Sequence, residues 1–209
     1  MDIDTKITLL NDALKKKKLT ASCYYEKNPS FRKEDMMRFQ GQLISVPSNK
    51  IIGIGRCQVQ HDQTPLSLLH FTTYLEDGKK YSFLELVEKE KEYKTYSKEE
   101  KTEVKVGKAV IFKFALLMRK LGIEYIRLTV LETGRTAALF RYYQSLGFRC
   151  MKPKSTGLGL FDWELRDASD EWYNLSPSHK DYFSTDEWYR NCIYMQANVT
   201  DILLNCCNV

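Results

Sequence analysis

The stretch VKVGKAVIFKFALLMRKLGIEYIRLTVLETGRTAALFRYYQSLGF, Val104 to Phe148, decides the fold. After Gly107, the run from Lys108 to Leu121 is apolar at Ala109, Val110, Phe112, Phe114, Ala115, Leu116, Leu117, Met118 and Leu121. Its polar positions are few, with Lys113 and Lys120 on one stripe. A helix this apolar lies against a sheet and is partly covered elsewhere. Gly122 is a left-handed stop. Ile126, Leu128 and Val130 then alternate with Arg127 and Thr129, which predicts a strand of about six residues. Thr133-Gly134-Arg135-Thr136 turns into a second helix carrying Leu139, Tyr143 and Leu146 on one face. Gly147 ends that helix and Phe148 returns to the core. A strand pair is expected at Phe148–Lys152 and Leu158–Leu165.

This order has a chemical reading. Amide groups at the start of the Lys108 helix can bind a pyrophosphate, and Gly107 lets the backbone approach it closely. Gly107 could equally make no more than a tight turn into the helix. The second helix brings Tyr143 toward the same point. The pairing suits a group-transfer enzyme with a phosphate-bearing carrier.

Working outward, residues 3 to 40 read as helical. Ile7, Leu10, Ala13 and Leu14 follow helical spacing, with Asp4 or Thr5 able to cap. A second helix is expected from Ser30 to about Phe39. Lys15 to Lys18 form a charge run, either a solvated helix end favoured by the helix dipole or a partner-binding patch. From Gln40 to about Glu76 the pattern is β. Leu43 and Ser45, then Ile51, Gly53 and Gly55, flank the turn cluster Pro47-Ser48-Asn49-Lys50, which reads as a hairpin. Leu68–Leu75 is a third strand, closed by Asp77-Gly78. The segment from about residue 86 to 105 is dense in Lys, Glu and Tyr. It reads as a solvated helical insertion or as part of a substrate surface.

With 209 residues, the chain is long enough to bury a real core. Its 43% hydrophobic and 28% charged residues mark it as globular. The net charge of +5 suits an anionic ligand without demanding one. No run approaches the roughly 18 apolar residues of a membrane span. The N-terminus carries acid before its apolar part and lysines after it, the reverse of a signal peptide. An intracellular location, cytoplasmic or nuclear, with free thiols is therefore expected. Six cysteines and three histidines show no metal-ligand spacing, so no metal site is expected.

On these residues the chain resembles a divergent GCN5-related N-acetyltransferase, well over roughly residues 100 to 166 and loosely over 40 to 76. The order helix–Leu121-Gly122–strand–helix–Tyr143-x-x-Leu146-Gly147-Phe148–strand carries the resemblance. It implies an α/β fold, a mixed central sheet flanked by helices, with an N-terminal helical segment. Residues 1–166 would form the acyltransferase domain, and 167–209 an aromatic C-terminal extension. That extension would pack over the sheet, cover an edge, form a homodimer contact or wall an acceptor pocket.

The resemblance also implies acetyl-CoA. The family's loop, Gln/Arg-x-x-Gly-x-Gly/Ala, is matched at Gly107 and Ala109. Val104 stands where Gln or Arg is usual, leaving Lys105 or Lys108 to supply charge. Lys105, Val106, Gly107, Lys108, Ala109 and Thr136 would contact the coenzyme, with Thr136 where the family often has Asn and Leu139 where it has a small residue. Tyr143 would be the general acid that protonates the departing thiolate. A carboxylate, Glu76 or Glu85 with Glu76 preferred, or an ordered water would deprotonate the attacking amine. Cysteine nucleophilic catalysis is weakly supported, since no cysteine has an evident partner base.

The leading expectation is thus an acetyl-CoA-dependent transfer to an amine acceptor, whether protein or small molecule, by direct attack. A catalytically inactive protein of the same fold, acting by partner binding, is the alternative that Val104 and Thr136 keep open. A nucleic-acid binder is a weaker third reading, because acids dilute the basic segments.

Overall fold

The computed structural model describes residues 1–29, 51–89, 96, 105–130, 136–153, 163–165 and 194–206. Helix α1 (Ile3–Lys16) leads into β1 (Leu19–Lys27). Strands β2 (Ile51–His61), β3 (Thr64–Glu76) and β4 (Lys79–Lys89) form a meander. Helix α2 (Val106–Lys120), β5 (Tyr125–Thr129), α3 (Thr136–Ser145) and β6 (Arg149–Pro153) follow. Strands β7 (Trp163–Leu165) and β8 (Tyr194–Asn198) and helix α4 (Val199–Asn205) complete the set. The eight strands make one mixed sheet in the order β1-β2-β3-β4-β5-β8-β6-β7. The α/β class, with a mixed sheet flanked by helices, is as expected.

The central stretch folds as its glycines dictate. At the end of α2, Gly122 takes φ 67° and donates to the Arg119 carbonyl, while the Ile123 amide reaches Met118. At the end of α3, Gly147 takes φ 97°, its amide bonds Gln144, and Phe148 bonds Tyr143. Both are left-handed glycine caps followed by a buried apolar residue, Ile123 or Phe148. The apolar face of α2 then drops Phe112, Phe114 and Met118 into the core. Each such side chain stabilises the fold by about 2 kcal/mol or more. Strand β6 pairs with β7, matching the expected strand pair where the two are described.

The meander turns at Asp62-Gln63 (φ 44° and 69°) and Asp77-Gly78 (φ 49° and 74°). Two consecutive left-handed residues match the natural twist of paired strands. The Asp77-Gly78 turn falls where it was expected. The hairpin expected around Pro47–Lys50 and the helix expected at Ser30–Phe39 lie outside the described residues. Strand β2, expected to follow that turn, is present from Ile51 and runs to the turn at Asp62-Gln63.

Several expectations need correction. Helix α1 begins at Ile3, and Asp2 caps it by accepting from the Thr5 amide, in place of Asp4 or Thr5. The chain then leaves the helix through Lys18, at φ 54°, and continues as β1 rather than as more helix. Its Thr, Cys and Tyr residues favour the extended form. The charged segment enters the sheet at its start, since β4 pairs with β3 as far as Lys89↔Ser67. Within that segment Tyr96 is 4% exposed and donates to the Lys17 carbonyl. Strand β8, from the supposed extension, inserts between β5 and β6 and belongs to the sheet itself. Cys23 and Cys57 face each other across β1 and β2 and form a disulfide, so these two thiols are not free.

Helices α1 and α2 are joined by Lys113 Nζ, which donates to Asn11 Oδ1 at 2.9 Å. Buried Lys6 reaches the other end of the chain and donates to the carbonyls of Leu203 (3.1 Å) and Leu204. A lysine at the C-terminal end of α4 satisfies carbonyls that the helix itself leaves open.

Candidate active site

The first turn of α2 is the point from which the site is built. Only Leu121 to Glu124 separate α2 from β5, so α2 ends where β5 begins. Its N-terminus therefore lies at the opposite end of the sheet, where β4 finishes. Ligands of α/β units gather at that end of the strands.

Strands β4 and β5 are parallel and pair only from Tyr81↔Tyr125 to Leu84↔Leu128. Strand β4 continues to Lys89 while still paired with β3. Among the described residues, the β5-facing edge of β4 is thus without a ladder partner beyond Leu84. An open strand edge offers backbone donors and acceptors to an extended, amide-bearing ligand.

Among the described residues the helix end itself is bare. Lys105 is the N-cap residue and makes no side-chain cap bond, and the first turn carries no acid. By contrast α1 and α4 are capped by Asp2 and Asn198 and carry Asp4 and Asp201 in their first turns. The Lys108 and Ala109 amides turn back onto the Lys105 carbonyl, at 2.8 and 3.0 Å. That leaves Val106 and Gly107 with amides that have no acceptor within the helix. A Cβ added at Gly107 would meet nothing within 4 Å, so space stands open against the backbone. Lys105 is exposed and Lys108 half-buried, while Val106 and Ala109 are packed inward. An uncompensated helix dipole, free amides and flanking lysines favour an anion.

Helix α3 adds the aromatic pair. Tyr143 packs edge-on against Phe148 and Tyr142, with ring centroids 5.5 and 5.4 Å away. It is 8% exposed, and burial pushes its phenol up to about 12. Tyr142 is likewise raised by burial, with Cys206 adding to the shift. Cys206 in turn donates from Sγ to the Lys108 carbonyl at 3.4 Å. The tyrosine pair is therefore tied to the first turn of α2 through one residue beyond α4. Thr136 begins α3, and its side chain lies outside what is described.

Glu76 is placed elsewhere. It sits at the hairpin end of β3, opposite Lys79, away from the end of β4 that meets α2. Its Oε2 accepts from Arg127 Nη1 at 2.5 Å. The same guanidinium donates to Tyr74 Oη (3.2 Å) and Gln196 Oε1 (2.8 Å) and lies 4.1 Å from the centre of the Tyr81 ring. Burial alone would lower the Arg127 pKa, but Tyr74 and Glu76 outweigh it and hold it above its ordinary value. Tyr74, Tyr81 and Tyr125 stack along this face at successive centroid distances of 5.6 Å. Tyr143 is thus linked to the first turn of α2 indirectly, through Tyr142 and Cys206, while Glu76 lies at the hairpin end of β3. The Glu85 side chain lies outside what is described. Arg127 was read only as an outward polar position of a strand, and nothing in its spacing signalled a buried cation.

Among the described residues no group of His, Cys, Asp or Glu could hold a metal ion. Among them, too, no helix is long and apolar enough to cross a membrane.

No family model matches the sequence, and no curated protein does so. Solved structures resemble it in backbone path. One is a GNAT family acetyltransferase from Elizabethkingia anophelis with acetyl-CoA bound, at 9% identity and TM-score 0.39, over 87% of this chain and 96% of that one. Another is the ribosomal-protein-S18-alanine N-acetyltransferase from Escherichia coli, at 12% identity and TM-score 0.38, over 85% of this chain and 94% of that one. A third is nourseothricin acetyltransferase, at 14% identity and TM-score 0.39, over 70% of this chain and 65% of that one.

Proposed function

We propose that the protein is an acetyl-CoA-dependent N-acetyltransferase that acts by direct attack of an amine. The observation that carries this reading is the bare first turn of α2. It opens onto free space at Gly107, beside the end of the β4–β5 ladder. A pyrophosphate fits amides that lack acceptors, and an amide-bearing arm fits the unpaired edge of β4. When bound, the coenzyme supplies an activated acetyl thioester.

The chain's own residues divide the remaining work. Val106 and Gly107 bind the pyrophosphate through their amides. Lys105 and Lys108 contribute charge, and Ala109 keeps the turn packed on the core. Thr136 completes the contact from the start of α3. Tyr143 holds a proton on its phenol throughout the neutral range, because burial keeps that pKa near 12. It would give this proton to the departing sulfur and recover one from water. The proton lost by the attacking amine leaves through water. Glu76 takes the role of positioning Arg127 at the β4–β5 seam, in place of the base that the sequence suggested.

Calorimetric titration with acetyl-CoA and with its desulfo analogue tests the reading. Saturable binding of both, absent in Gly107→Asp, is the expected result. A folded protein that binds neither would leave a contact protein of the same fold, without a coenzyme.

A further inference from the structure

On the other flank of α2, a cleft of ≈ 480 Å³ opens between α1, β1 and α2. Lys15 and Lys18 enter it from the end of α1 and the turn after it, and Lys113 from α2. Asn11 and Thr20 add polar groups, and Leu14 and Leu19 provide apolar lining. Among the described residues no carboxylate lines it. None of the three lysines forms an ion pair among the described residues. Lys113 Nζ donates to Asn11 Oδ1, which turns the Asn11 amide donors elsewhere. Burial lowers the Lys113 pKa, so this ammonium is partly stripped of water without a counter-charge.

The cleft is separate from the proposed coenzyme site. Lys113 lies five residues beyond Lys108, whose carbonyl receives Cys206 on the α3 and α4 side. At about 100° per residue, that puts the two on flanks roughly 140° apart. Along the axis, Lys113 is about 9 Å from Gly107.

We infer that this cleft binds a small phosphate-bearing anion, its phosphate held by Lys15, Lys18 and Lys113. Three lysines around one cleft, with no acid among its described lining residues, suit a phosphate dianion or a diphosphate. The size falls in the range of small-ligand clefts, about 300–1,000 Å³. An anion there would offset the desolvation that Lys113 bears in its absence. This inference does not rest on acetyl transfer.

The test uses the whole chain. Inorganic pyrophosphate and a nucleoside diphosphate are titrated into the wild type, Gly107→Asp, and Gly107→Asp combined with Lys15→Ala or with Lys113→Ala, with thermal melts confirming the folded state. Saturable binding should persist in Gly107→Asp, which lacks the α2 site, and weaken about tenfold or more when Lys15→Ala or Lys113→Ala is added to that variant, since each loses a charge-assisted contact. Lys15 is exposed on a helix, where alanine is tolerated, so that variant stands even if Lys113→Ala unfolds. Tighter binding of the nucleoside diphosphate assigns an organic ligand, and equal binding a free phosphate. Either form leaves the site in place. Loss of binding in Gly107→Asp alone would return the anion to the α2 N-terminus and overturn the inference. Absence of saturable binding would overturn it as well. So would lysine-dependent binding of single-stranded RNA with none of pyrophosphate, which would make the face a nucleic-acid surface.

Discussion

Arg127 of β5 reaches over β4 to Glu76 of β3, placing a buried ion pair across three neighbouring strands. The side chains are 8% and 5% exposed, so solvent screens the pair little. With Tyr81 of β4 beneath the guanidinium, the contact holds together the parallel seam whose far end opens at Leu84. Replacing Arg127 by Leu should leave the Glu76 carboxylate buried without its cation and cost about 3–5 kcal/mol. Replacing both, as Arg127→Met with Glu76→Leu, should recover much of that loss. Denaturant unfolding of the single and double variants checks this. Equal stability of Arg127→Leu and wild type would deny the pair any structural role.

Gly107 separates folding from binding. Because a Cβ there meets nothing, Gly107→Ala should fold and gain up to about 1 kcal/mol from the helix preference for alanine. Gly107→Asp should also fold yet abolish acetyl-CoA binding, since its carboxylate would occupy the place of the pyrophosphate. Melting curves and calorimetry on the two variants decide this. An aspartate variant that binds normally would remove the α2 turn from the site.

Tyr143→Phe deletes one hydroxyl from a packed ring. Turnover should drop about 10²-fold, with the coenzyme Kd little changed. With the wild-type phenol near 12, Tyr143 should add no alkaline limb to the rate profile below about pH 11. An unaltered rate in Tyr143→Phe would pass the proton donor's role to water.

Buried phenols also set an alkaline limit on stability. Burial raises Tyr74, Tyr142 and Tyr143 above their ordinary 10.0. Above pH 10 the unfolded chain loses protons that the folded chain keeps, so stability falls as pH rises. The contribution is intact below about pH 10. For Tyr143 alone, about 2 kcal/mol should be lost between pH 10 and 12. Urea midpoints measured from pH 8 to 11.5 should decline, with a shallower slope in Tyr143→Phe.

The Cys23–Cys57 bond ties edge strand β1 to β2 across a sequence separation of 34. Loops of that size give a disulfide about 2–4 kcal/mol of stabilising effect. Melting with and without a thiol reductant should show the loss, and Cys23→Ser should match the reduced protein. A melting point indifferent to reductant would mean that the bond does not form in solution.

What could be read in the sequence follows from local signals. Gly122 and Gly147 end their helices through their own backbone conformation, and Ile126 and Leu128 alternate as a strand must. The path from α2 to β6 is therefore legible residue by residue. Strand β1 is not, because it is an edge whose inward positions are few. Strand β8 is hidden for another reason: its five residues acquire meaning only when β5 and β6 flank them. Arg127 misleads because alternation separates two faces of a strand without saying that both are buried. The Cys23–Cys57 pairing depends on a register that no spacing encodes. For the site, Gly107 and Tyr143 were visible as motif positions. The remoteness of Glu76 depends on which end of β3 it occupies.

The placement of β8 also bears on how the chain comes into being. Synthesis delivers β5 and β6 well before Tyr194–Asn198, the strand that fits between them. Until those residues emerge, the nascent sheet carries two bare edges, one on each side of the gap, open to pairing with other chains. Lys6 likewise waits for Leu203, 197 residues later, and Leu204 before its ammonium meets their carbonyls. These later residues close the middle of the sheet. A message cut short before this point would yield a sheet split in two and prone to aggregate.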